Sequence, residues 1–131
     1  MSGFTALVSR FHAAFGLPRQ QRPSTHVDED VKKLRRALLE EETRELDEAM
    51  DADDLVAIAD ALGDIVYVAL GTAVTYGIDL DAVLAEVHRS NMSKLGPEGR
   101  PLLDKAGKVI KSDQYFRPNI ADVLARQKPL P

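Results

Sequence analysis

Leu55-Val-Ala-Ile-Ala-Asp-Ala-Leu-Gly-Asp-Ile-Val-Tyr-Val-Ala-Leu-Gly-Thr-Ala-Val-Thr75 is the most apolar stretch of this 131-residue chain, and its only charges are Asp60 and Asp64, one helical turn apart. Its length, its alanine and leucine content and its lack of proline predict a central α-helix rather than a strand. Gly63 and Gly71 lower the helix propensity, so tertiary packing has to hold the segment, and a neighbour can approach closely there. The uninterrupted apolar run after Asp64 covers only Ile65 to Ile78. That is short of the ~20 residues of a bilayer crossing, so a buried helix is expected and no membrane partner. A carboxylate withdrawn from water is strongly disfavoured unless something compensates it. An acid pair in a buried helix therefore calls for bound cations, neutralised acids, or a paired lysine or arginine.

Helices are expected on both sides of this segment. Phe4, Leu7, Val8, Phe11 and Phe15 recur at steps of three and four, predicting an amphipathic helix over about residues 3–16 that ends near Gly16. Pro18 and Pro23 mark a loop, and a second helix without glycine or proline runs from about Asp28 to Ala49. The acidic turn Asp51-Ala-Asp-Asp54 supplies its exit and an N-terminal cap for the central helix. Gly77 ends that helix, and Leu80, Val83, Leu84 and Val87 carry a fourth one to the stop at Lys94-Leu-Gly96-Pro97. Beyond Glu98 the texture predicts two short extended pieces around a turn at Asp104–Gly107, then a short closing helix from Ile120 to about Arg126.

The expectation is an all-α fold: one domain over residues 1–131, a bundle of four main helices with a motif-bearing core over about 28–96 and an extension over 97–131. A helical hairpin cannot cover both sides of an apolar helix, so oligomerisation, as homodimer or homotetramer, is expected to complete the core. The chain has no cysteine, which excludes disulfides, zinc–thiolate sites and cysteine nucleophiles and suits a reducing compartment. Its first residues lack the basic start and apolar core of an export signal, so a cytoplasmic protein is expected.

A net charge of −4 conceals an uneven distribution. Residues 28–64 hold 14 acids against 5 bases, whereas residues 98–131 hold 7 bases against 4 acids. This argues against nucleic acid as a partner and fits a metal-complexed phosphate ester; an acidic solvated helix with a basic tail gives the same charge pattern.

The positions of the acids carry more information than their number. At about 100° per residue from Glu41, Glu45 falls near 40°, Glu42 near 100°, Leu34 near 20°, Leu38 near 60° and Val31 near 80°. The carboxylates thus continue the apolar stripe instead of opposing it, and are expected to point at neighbouring helices. Asp60 and Asp64 lie about 40° apart on the next helix, and a short acidic turn can bring the two groups face to face. Carboxylates that converge repel one another, and oxygen-only ligand sets suit hard cations such as Mg²⁺ or Mn²⁺. Helical-spacing pairs to Arg35, Arg36 and Arg44 are the alternative for the second helix. A di-iron carboxylate site is disfavoured, because His12, His26 and His88 have no glutamate three residues before them. Asn91 and Lys94, neighbours at i and i+3, offer an amide and a cation suited to phosphate oxygens; a lysine in a last helical turn also answers the helix dipole.

Glu41-Glu42-x-x-Glu45, Asp60-Ala-Leu-Gly-Asp64-Ile-Val-Tyr and Asn91-x-x-Lys94, in that order, resemble the all-α NTP pyrophosphohydrolases: MazG-like proteins, dimeric dUTPases and phosphoribosyl-ATP pyrophosphohydrolases. The match covers about residues 31–96. It departs at one position: the family's second motif is usually Glu-x-x-Asp, and Ala61 stands three residues before Asp64. The resemblance implies Mg²⁺-dependent hydrolysis of a nucleoside triphosphate, dUTP or another non-standard nucleotide among the candidates, to a monophosphate and pyrophosphate. It implies Glu42, Glu45 and Asp64 as metal ligands and Asp60 as a further one, the acid missing at Ala61 being supplied by Asp60, by water, or not at all. Glu41 is implied as the carboxylate that orients or deprotonates water, and Asn91 with Lys94 as the phosphate clamp. A catalytically weakened nucleotide-binding or regulatory protein on the same scaffold is the alternative that Ala61 motivates.

Overall fold

Helix α1 (Phe4–Phe15) ends where expected, at Gly16 in the left-handed conformation, with the Leu17 N–H donating to the His12 carbonyl. The computed structural model describes residues 3–131, and among them the elements are helices: α1, α2 (Glu29–Asp51), α3 (Leu55–Thr75), α4 (Leu80–Met92) and α5 (Ile120–Arg126), with one 3₁₀ turn at Pro97–Gly99. Asp54 caps α3 as its position suggested, its carboxylate accepting from the Ala57 N–H at 3.1 Å. At the other end of α3, Gly77 sits at φ 73°, and the Gly77 and Ile78 N–H groups close on Val74 and Ala73. A β-carbon there would run into the Arg22 carbonyl, so backbone conformation and space both demand glycine.

The contacts divide the chain into two compact units, one running up to Leu80 and taking in Lys128–Pro131, the other covering Asp81–Gln127. In the first, α3 packs on both α1 and α2. Its core is Val8, Leu70, Val74 and Leu130, with Leu80 against it. Leu130 has no periodic pattern around it to announce its burial. The backbone holds it: its N–H donates to Gln21 O at 2.8 Å, and the Ser9 hydroxyl and Arg19 donate to Pro131 O at 2.6 and 2.9 Å.

Burial is uneven, and two expectations fail on it. Leu34 is exposed, because the inward face of α2 runs through Arg35, Leu38, Glu42 and Ala49 instead. On α3, Leu55 and Val56 are 78% and 80% exposed, and Leu62, Val66 and Tyr67 are exposed too. The helix is therefore buried on one side only within the chain. By length and composition α3 is also long and apolar enough to cross a membrane, with a mean hydropathy of 1.7. The shorter run from Ile65 suggested otherwise, but a helix of this length can carry Asp60 and Asp64 and still meet that criterion.

In the second unit the expected turn forms. Asp104 Oδ1 accepts from the Ala106 and Lys108 N–H groups, both at 2.9 Å, and Gly107 takes φ 82°. The flanking extended pieces form one isolated antiparallel bridge, Leu103 with Val109, and no strand.

Candidate metal centre

Two acid groups meet on the α2–α3 seam. The helices are antiparallel across a tight turn, and Glu42 with Asp64 and Arg35 with Thr72 set a register in which facing residues have numbers summing to roughly 106. Ligand oxygens of Glu42, Glu45 and Asp64 lie within 4.8 Å of one another. Glu42 and Asp64 are half-buried and Glu45 is exposed. Glu42 Oε2 is buried and has no hydrogen-bond partner among the described residues. Burial pushes the Glu42 carboxyl up to about 7, helped by a hydrogen bond and charge from Glu45 and then by Asp64 and Glu41. A carboxylate in this state lacks a counter-charge, and a cation supplies one.

The other expected members stand differently. Glu41 is exposed, one residue and about 100° around α2 from Glu42. Asp60 does not join the group: it is exposed, whereas Ala61, which the register places opposite Glu45, is 3% exposed. The buried acid pair expected in α3 is thus one half-buried acid and one surface acid. Asp60 stands about 100° around α3 from Ala61 and about 40° beyond Asp64, on the side away from Ala61, where it faces solvent.

Arg35 occupies the seam two turns along α2 from Glu42. The local glutamate pairing expected of it is replaced by bonds to α3: Nε donates to Thr72 Oγ1 at 3.0 Å and a terminal nitrogen donates to Val68 O at 2.7 Å. Gly71 makes this approach possible, because an added β-carbon would stand 2.5 Å from that guanidinium and 3.1 Å from His12 Nε2. His12, 3% exposed, is a packed side chain bonded through Nδ1 to Pro18 O at 2.9 Å. Burial holds it below its ordinary range; the Pro18 bond opposes this, and Arg35 and Arg19 add to it. Spacing did not single out this seam position, since Leu34 stands seven residues before Glu41 just as Arg35 does before Glu42. A shallow depression along Arg36, Leu39, Glu40, Thr43, Arg44 and Asp47 lies on another face of α2, of alternating charge.

In the second unit, Asn91 lies exposed in the last turn of α4 and Lys94 half-buried in the turn beyond it, with the Lys94 N–H donating to Asn91 O. That turn is fastened by hydroxyls. Ser90 donates to Phe116 O at 2.8 Å, Ser112 donates to Ser93 O at 3.1 Å, and Ser93 Oγ accepts from the Phe116 N–H. Arg89 also stacks 4.4 Å over the Phe116 ring.

Residues 8–91 match the model of the phosphoribosyl-ATP pyrophosphohydrolase family. The chain belongs to this family. Its matched segment contains α2, α3 and the three converging carboxylates. The chain is 32% identical over 108 residues to an uncharacterised protein of Acanthamoeba polyphaga mimivirus, covering 80% of this chain and 41% of that one, so it spans about two-fifths of that relative. It also resembles the crystal structure of a candidate NTP pyrophosphohydrolase from Exiguobacterium sp. 255-15, with a TM-score of 0.50, 24% identity, and 95% and 94% of the two chains covered. That likeness establishes a shared helical fold and nothing finer.

Proposed function

We propose that the protein is a metal-dependent nucleoside triphosphate pyrophosphohydrolase, converting substrate and water to a monophosphate and pyrophosphate. The observation that carries this reading is the convergence of Glu42, Glu45 and Asp64 within the family-matched segment, with a buried Glu42 oxygen that has no other partner. These oxygen-only donors suit Mg²⁺ or Mn²⁺. A divalent cation there would withdraw charge from phosphate oxygens and acidify a water. Glu42, Glu45 and Asp64 would hold the cation. Glu41, exposed beside them on α2, takes the proton of the attacking water. The Asn91 amide and the Lys94 ammonium are donors suited to phosphate oxygens.

The substrate is a non-standard or surplus nucleotide, of the dUTP kind, cleared from the cytoplasmic pool. The enzyme works as a homodimer or homotetramer whose chains meet on the apolar face of Leu55, Val56, Leu62 and Val66, which the single chain leaves exposed. Light scattering should give a mass above the 14.4 kDa chain, and Val66→Asp should lower it towards that value.

The deciding experiment is pyrophosphate release from a panel of ribo- and deoxynucleoside triphosphates and phosphoribosyl-ATP, with Mg²⁺ or Mn²⁺ and with chelator. Metal-dependent turnover that Glu42→Ala and Asp64→Ala remove is expected. Wild-type rates in either variant would refute the site. Tight nucleotide binding without turnover would favour the regulatory reading that Ala61 motivates.

A further inference from the structure

We propose that, without nucleotide, the carboxylate site holds a single divalent cation per chain and that Asp60 is not one of its ligands. This rests on the reading of Glu42, Glu45 and Asp64 as a metal site. The oxygens around one octahedral Mg²⁺, each at about 2.1 Å, stand roughly 3–4 Å apart, so three atoms within 4.8 Å close on one ion with a small adjustment. A second ion about 3.5–4 Å away would need carboxylates of its own.

The seam denies it these. Opposite Glu45 the register places the buried methyl of Ala61, so among the described residues α3 brings the group no carboxylate besides Asp64. Asp60, about 40° beyond Asp64 on the side away from Ala61, is exposed and stands outside the group of mutually close oxygens. Charge agrees: three carboxylates neutralise one dication with one negative charge to spare, whereas two dications would leave the site positive. A second cation therefore has to arrive with the phosphates of the substrate, which supply the oxygens that α3 lacks.

Calorimetric titration of the metal-free full chain with Mn²⁺, in the absence of nucleotide, tests this directly. One equivalent per chain is expected, with Asp60→Asn indistinguishable from wild type and Glu42→Gln binding at least about tenfold more weakly. Two equivalents, or a loss of affinity in Asp60→Asn, overturns the single-ion assignment and leaves the function reading standing. A wild-type chain that binds no Mn²⁺ overturns the metal site and this inference with it. Asp60 is a surface residue, so its variant reports on ligation rather than on folding.

Discussion

At one end of the α2–α3 seam the Arg35 guanidinium is bonded to the Thr72 hydroxyl and the Val68 carbonyl, with Gly71 making room for it. At the other end Glu42, Glu45 and Asp64 crowd together, and one Glu42 oxygen is buried without a partner. Both ends place charge between helices. The cation has two neutral acceptors on α3, at Thr72 and Val68, and acts as a strut between α2 and α3. The acids repel one another, and such a cluster calls for a proton or a cation to relieve it. A half-buried charge therefore becomes informative about function when its partners are missing.

The largest effect separating the two ends should be metal linkage. At one hundred times its dissociation constant, Mn²⁺ should stabilise the wild-type protein by about 2.7 kcal/mol in thermal or denaturant melts. Glu42→Gln or Asp64→Asn should lose nearly all of that gain, and a full gain in either would remove the acid end from consideration as a cation site. At the Arg35 end the expected effects are independent of metal. Gly71→Ala should displace the guanidinium, losing roughly 1.5–3 kcal/mol of charged hydrogen bonding against a helix-propensity gain of about 1 kcal/mol, for a net cost of about 0.5–2 kcal/mol. Thr72→Val, which leaves Arg35 Nε without its acceptor, should cost about 1 kcal/mol, again with Mn²⁺ linkage intact.

The smallest and most diagnostic difference is in pH dependence, read by melting without divalent cations. Glu42 is raised from 4.5 to about 7 in the folded protein, so its stabilising contribution is full below pH 4.5 and is lost as the pH rises through about 7. His12 is lowered from 6.5, so its contribution is full above pH 6.5 and is lost as the pH falls below that value. The two ends thus oppose each other as the pH falls below 6.5. Glu42→Gln should abolish the Glu42 trend and leave stability rising with pH over the His12 range; an unchanged profile would contradict the buried state of Glu42.

How much of this was legible depended on distance along the chain. The helix ends at Gly16, Asp54 and Gly77 were readable because a cap is a contact among residues within about five positions, and residue type alone specifies it. The grouping of Glu42 and Glu45 was readable for the same reason, being a matter of helical period, and Asp64 followed once a short turn forced the two helices antiparallel. Leu130 was not readable, since nothing near it in sequence indicates that a terminal segment returns to Val8 and Val74.

Residue order thus determined the all-α architecture, the family motifs and the concentration of acid on two consecutive helices. It left the register of those helices open by one residue, and that residue separates Ala61 in the seam from Asp60 in water. It also left open whether Leu34 or Arg35 faces α3, which Gly71 and Thr72 settle in favour of the arginine. Both choices depend on which faces pack closest, and close packing is a property of two surfaces together that the period of either helix alone does not contain.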